Sequence, residues 1–101
     1  MMLFQLGHFA LADLEDSVAY LAEDSESAAH RLVDELEFGF GFLGERPQCG
    51  HRRPDLTSAP LLFWTVAGYL IASLLDPAPV TIVAILHGSR DAASILQSRF
   101  A

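Results

Sequence analysis

The chain contains no lysine. Its six basic residues are all arginine, and thirteen Asp and Glu outweigh them to a formal net charge of -7 over 101 residues. Such a surface repels a phosphate backbone unless the arginines cluster, so direct nucleic-acid binding is not expected. Cysteine is nearly absent too. Cys49 stands alone, which rules out a disulfide scaffold and suits a reducing, cytoplasmic setting. Without lysine there is no phosphate loop, and Gly39, Gly41 and Gly44 sit among phenylalanines instead. Metal ligands are equally thin: His8, His30, His51 and His87 fall on unlike segments, and Cys49 with His51 lacks two further clustered ligands. Neither a metal nor a cofactor is expected.

Long uninterrupted apolar runs are also missing. Residues 56–75 carry no charge and approach the length of a membrane span. Pro60 and Gly68 interrupt that stretch, Thr57, Ser58, Thr65 and Ser73 dilute it, and Asp76 and Pro77 follow where a basic anchor would stand. No membrane insertion is expected. Residues 1–14 are apolar but lack a positively charged start, so they do not read as a signal peptide.

What is present is a small globular domain, 51% hydrophobic and 19% charged, too apolar for a disordered tail. One domain over residues 1–101 is expected. Residues 3–6 read as a short strand broken by Gly7. Over 10–22, Leu11, Leu14, Val18 and Leu21 recur at helical intervals. Asp24 and Ser25 offer capping oxygens, and a second helix starting near Ser25 carries the stripe Ala29, Leu32, Val33, Leu36, Phe40 and Leu43. So tight a link predicts an antiparallel hairpin. Asp13, Glu15, Asp16, Asp34, Glu35 and Glu37 read as a solvated helix face rather than as acid–base pairs. The helix ends oddly, with Phe38, Phe40 and Phe42 alternating with Gly39 and Gly41, each glycine costing about 1 kcal/mol against alanine. Phe38 and Phe42 lie off the buried stripe, as fraying-end residues or as a docking patch.

Residues 46–60, with Pro47, Gly50, Pro54, Pro60, Arg52 and Arg53, read as a crossing loop. Residues 61–66, 69–75 and 80–87 then read as a three-stranded antiparallel meander, and 92–100 as a short helix or tail. The expected class is α+β, with Leu11, Leu14, Val18, Leu32, Leu36, Phe40, Trp64, Ile71, Ile82 and Ile85 in the core. The strands do not alternate cleanly. Leu62, Trp64 and Val66 face one way and Leu61 and Phe63 the other, so both sheet faces want cover. The hairpin can blanket one face. Residues 92–100 are short for the second, which predicts that another chain completes the interior.

Taken together, Ala12-Asp13-Leu14, Ala28-Ala29, Leu43 with Pro47 and Gly50, Phe63-Trp64 with Val66, Tyr69-Leu70-Ile71 and the closing Leu86-His87-Gly88-Ser89-Arg90-Asp91 resemble the ParE branch of the RelE/ParE toxin superfamily. The match covers nearly the whole chain, and its ending is similar to the family's His-Gly-Ala-Arg-Asp. The resemblance implies a plasmid-stabilisation toxin of a type II toxin-antitoxin pair. Its fold would be a helical hairpin on an antiparallel sheet, its target DNA gyrase, and its partner a ParD-like antitoxin in a hetero-oligomer.

Departures from the family pattern bear on activity. Where relatives carry cations on the sheet, this chain has Leu62, Ser73-Leu74 and Ala84, which points either to an attenuated or inactive toxin that still pairs with its antitoxin or to a target met through Phe38, Phe42 and Trp64 rather than through charge. Contact with antitoxin or target is expected through Phe38, Phe42, Arg52, Arg53, Leu62, Trp64, Leu74, Ala84 and Arg90. No catalytic constellation is expected. Two alternatives stand beside this reading. The first is a RelE-like endoribonuclease acting on messenger RNA at the ribosome, with His87 as base and Arg90 as phosphate clamp. The second is a non-toxic homodimeric binding module. Structurally, His87 reads as a strand-end residue, and Arg90 as the ion-pair partner of Asp91 or of a first-helix carboxylate.

Overall fold

A computed structural model of the chain describes residues 4–76, 78–88 and 90–100. Leu3 of the expected first strand, Pro77 of the last turn and Ser89 of the closing motif lie outside them. The element order is β1 (Phe4–Leu6), α1 (His8–Asp24), α2 (Glu26–Glu45), β2 (Leu62–Val66), β3 (Tyr69–Leu74), β4 (Val80–His87) and α3 (Ala92–Phe100). This is the expected α+β order. β2, β3 and β4 form the antiparallel meander, and β1 adds to β4 in parallel, giving a sheet ordered β1-β4-β3-β2. The 56–75 stretch is loop, β2 and β3, and no helix among the described residues is long and apolar enough to cross a membrane.

Local chemistry sets the element ends. The Ser25 hydroxyl accepts from the Ala28 amide at 3.1 Å and starts α2, as the capping preference for serine predicts. β2 and β3 are joined by Ala67 and Gly68, both at positive φ (54° and 82°), the two-residue pattern whose twist suits a hairpin. Asp91 caps α3. Its carboxylate accepts from the Ser94 hydroxyl at 2.8 Å and the Ser94 amide at 3.2 Å, and those two donors, the hydroxyl first, hold the Asp91 carboxyl below its ordinary value.

One core lies between the helical hairpin and the sheet. Ala10, Leu32, Leu36, Phe40, Leu43, Tyr69, Ile71, Ile82 and Ile85 are buried there. Gly39 belongs to this packing: a Cβ on it would meet the Val66 side chain at 3.0 Å, so glycine lets α2 approach β2. Of the expected core, Leu14, Val18 and Trp64 are only half-buried, and Leu11 is 46% exposed. The helical stripe on α1 is wider than the sheet beneath it can cover.

The second sheet face departs from expectation. Leu61, Phe63, Ala72, Ala84, Leu86 and Leu96 are buried together on it, with Leu56 and Ala59 of the crossing loop and Ala92, Ile95 and Phe100 of α3 packed against them. The chain therefore covers its own second face, and no other polypeptide is needed to finish that interior. Sequence spacing could not show that the 46–61 loop folds back. It does so through paired hydrogen bonds between His51 and Phe63 of 2.9 and 2.8 Å.

Asp13 is the other correction. Placed on a solvated face by its spacing, it is 4% exposed. β1 ends after Leu6, and the Gly7 amide makes the last bond to β4, donating to the Ile82 carbonyl at 2.8 Å. The next inward amide of β4, Ile85, donates instead to the Asp13 carboxylate at 3.0 Å. Both Asp13 oxygens also accept from the Arg99 guanidinium at 2.8 Å, and Arg99 stacks over the Phe9 ring at 4.8 Å. One buried carboxylate thus ties α1, β4 and α3 together. It also raises the Arg99 pKa further through that hydrogen bonding.

Candidate functional site

Three surface features gather the residues that sequence reading singled out or missed. The first is an aromatic face along α2 and β2. Residues 38, 42 and 46 fall one helical turn apart and so share one side of α2. Phe38 is 79% exposed. Phe42 stacks on the half-buried Trp64 with ring centroids 5.3 Å apart, and the Arg46 guanidinium lies over the Phe42 ring at 4.6 Å. Arg46 was not among the expected contacts, although its spacing of four from Phe42 was the available signal. Trp64 and Arg53 line one hollow of about 350 Å³ with His51 and Thr65. Arg53 is already engaged there, in a two-pronged bond to Asp55 of 2.9 and 2.8 Å. Arg52 is exposed beside it, and Leu62 is half-buried.

Not all expected contact residues join this face. Leu74 is half-buried on the opposite side of the sheet, packed against the α3 cluster. Ala84 is fully enclosed in that cluster and has no surface to offer. Arg90 sits apart from the Phe42–Trp64 stack.

The second feature is a cleft of about 400 Å³ where α1 meets the ends of β3 and β4, lined by Asp16, Ser17, Tyr20, Leu21, Tyr69, His87 and Arg90. His87 meets Tyr69 edge-on at 5.2 Å, and its carbonyl accepts the Arg90 amide at 2.9 Å. Arg90 does not make the expected structural pair. Asp91 turns to cap α3, and the buried carboxylate of α1 is taken by Arg99. The fold adds Asp16 and Tyr20 from α1 to His87 and Arg90. The cleft therefore offers one guanidinium, one imidazole and two phenols, with a carboxylate facing any anion that enters.

The third feature is apolar and was not foreseen. Leu11, Leu14 and Phe40, with Phe4 and Leu6 of β1 and Glu37 of α2, line an open hollow of about 720 Å³. Among the described residues no group of three or more His, Cys, Asp or Glu side chains could hold a metal ion.

A helical hairpin and an end helix pack on the two faces of a four-stranded mixed sheet, with aromatic and apolar side chains left at the surface. The chain belongs to the ParE toxin family of type II toxin-antitoxin systems: the family model for the ParE toxin of the parDE system matches residues 8–92. Among curated proteins, none matches the chain at a significant level.

Proposed function

We propose that this toxin acts by protein–protein contact on DNA gyrase, is held silent by a ParD-like antitoxin in a hetero-oligomer, and is weakened by the apolar residues at Leu62 and Leu74. The observation that carries this reading is the family match over residues 8–92. Contact chemistry supports it. The Phe38, Phe42 and Trp64 face presents aromatic side chains of the kind that dominate binding surfaces, and Arg46 and Arg52 supply charge at its edge. The cleft at His87 and Arg90 supports enzymatic cleavage less well. Stabilising a phosphorane-like transition state needs concentrated positive charge, and Asp16 opposes the single guanidinium there.

The test is expression from an inducible promoter, alone and with the neighbouring antitoxin frame, followed by a gyrase supercoiling assay on the purified chain. The expected results are slowed growth relieved by the antitoxin, co-purification of the two chains, and loss of supercoiling that Phe38→Ser with Phe42→Ser reverses. Normal growth, self-association and no antitoxin binding would instead identify a homodimeric module. Ribosome-dependent RNA cleavage lost on His87→Ala or Arg90→Ala would identify a nuclease.

A further inference from the structure

Three of the six arginines already have a counter-charge: Arg46 with Glu45, Arg53 with Asp55 and Arg99 with Asp13. Among the described residues Arg90 and Asp16 have none, although both line the cleft of about 400 Å³ where α1 meets the ends of β3 and β4. A guanidinium and a carboxylate thus share one concave site and stand too far apart to pair with each other.

The wall behind them is fixed. The Gly88 amide donates to the Gly68 carbonyl at 3.1 Å, and a Cβ on Gly88 would crowd that oxygen at 3.3 Å, so glycine lets the end of β4 lie against the β2–β3 turn. His87 meets Tyr69 edge-on there at 5.2 Å. The Arg90 amide then donates to the His87 carbonyl at 2.9 Å, and this turn brings Arg90 into one cleft with Asp16 and Tyr20 of α1. Leu21 and Tyr69 supply apolar lining, and Tyr20 is 73% exposed.

We infer that this cleft binds a free α-amino acid with an apolar side chain: its carboxylate meets Arg90, its ammonium meets Asp16, and its side chain lies against Leu21, Tyr20 and Tyr69. Charge decides the class of ligand. A phosphate or nucleotide is drawn by Arg90 and opposed by Asp16, and a simple cation the reverse. An α-amino acid carries both charges on one carbon and answers both side chains at once, each through a charge-assisted hydrogen bond. A residue inside a polypeptide has neither charge on its backbone, so the fitting source is the free amino acid rather than a protein segment. The cleft volume falls within the range of small-molecule sites, about 300–1,000 Å³, and accommodates a leucine or a phenylalanine. Bound there, the ligand links α1 to the turn that leads into the Asp91 cap of α3, adding to the tie that Asp13 and Arg99 make between the two helices. A neighbouring hollow of about 280 Å³, sharing Leu21, Tyr69 and His87, also holds an arginine and a carboxylate, Arg31 and Glu35. It lacks the Tyr20 ring, and Arg31 serves as the control.

The test titrates the full chain with L-leucine and L-phenylalanine by NMR and calorimetry. Beside them run N-acetyl-leucine, which lacks the ammonium, leucinamide, which lacks the carboxylate, and inorganic phosphate. The free amino acids are expected to bind with a Kd of about 1 mM or below, and the blocked analogues and phosphate about tenfold more weakly or worse. Arg90→Gln and Asp16→Asn should each weaken leucine about tenfold. Both side chains are exposed, so the unfolding midpoint of the free chain should stay unchanged. A change of preference separates binding from a merely structural role. Asp16→Asn, no longer opposing an anion, should bind N-acetyl-leucine better than the wild type does, and Arg90→Gln should do the same for leucinamide. Arg31→Gln should leave leucine binding as it is. Leucine at ten times its Kd should shift the folding equilibrium about tenfold toward the folded chain. No binding at about 10 mM amino acid, equal binding of N-acetyl-leucine, leucinamide or phosphate, or loss on Arg31→Gln without loss on Arg90→Gln overturns the inference. Growth and supercoiling decide the toxin reading separately, since leucine binding requires neither antitoxin nor gyrase.

Discussion

Replacing Asp13 with alanine should be the most damaging single change outside the apolar core. Asp13 is almost wholly buried, accepts the Ile85 amide at 3.0 Å, and takes both prongs of Arg99 at 2.8 Å. Removing it leaves two kinds of orphan. The Ile85 amide loses its partner inside the sheet, a loss of about 1–3 kcal/mol. The Arg99 guanidinium, whose side chain is 16% exposed, loses its counter-charge; breaking a buried pair by deleting one partner costs about 3–5 kcal/mol. The two losses overlap in one network and do not add, so about 3–5 kcal/mol is expected for Asp13→Ala. That is a large share of the stability of a domain this size. Asp13→Asn keeps an acceptor for Ile85 but gives up the charge, and should cost about 1–2 kcal/mol. Arg99→Ala should fall between them and release α3 first. Urea unfolding of the two single variants and the double variant closes a cycle in which the Asp13–Arg99 coupling should exceed about 1 kcal/mol. A loss below about 1 kcal/mol for Asp13→Ala, or a coupling near zero, would refute the claim that this carboxylate ties three elements together.

The two glycines of α2 should respond oppositely to alanine. Gly39→Ala should destabilise because its Cβ would press on Val66 at 3.0 Å, whereas Gly41→Ala should raise stability by about 0.5–1 kcal/mol, both read as shifts in urea midpoint. Ala67→Gly relieves the positive φ of the first turn residue (54°) and should stabilise the β2–β3 hairpin by up to about 1 kcal/mol. Asp91 makes the anchoring of α3 acid-sensitive. Its carboxyl is held below the ordinary value near 3.8, so its contribution is complete above that pH and is lost as pH falls through the lowered folded value. Protection of the α3 amides, taken relative to the intrinsic exchange rate at each pH, should therefore fall in that acid range in the wild type and lose this dependence in Asp91→Asn. Phe38→Ser, at an exposed side chain, should leave the unfolding midpoint within about 0.5 kcal/mol, so any change it makes in growth or complex formation reports on contact rather than on folding.

Sequence by itself determined the elements. The three-and-four spacing of Leu32, Leu36, Phe40 and Leu43, the capping serine at 25, the Ala67-Gly68 turn and the β-rich runs after residue 61 each act within a few residues. Local sterics and hydrogen bonding therefore announce them. The closing motif likewise carried the family resemblance. Tertiary structure alone decided what those elements do to one another. Asp13 and Leu11 sit two residues apart on the same helix, yet the polar one is enclosed and the apolar one half exposed. β1 stops short of Ile85 and leaves an amide to be answered, while Leu11 keeps 46% of its surface exposed. The second sheet face read as unfinished because nothing local shows that residues 46–61 and α3 fold over Phe63, Ala84 and Leu86. Helical spacing cannot say which apolar row meets the sheet and which faces solvent, because that depends on segments distant in the chain. The same distance hid the apolar hollow and the meeting of Tyr20 with His87 and Arg90.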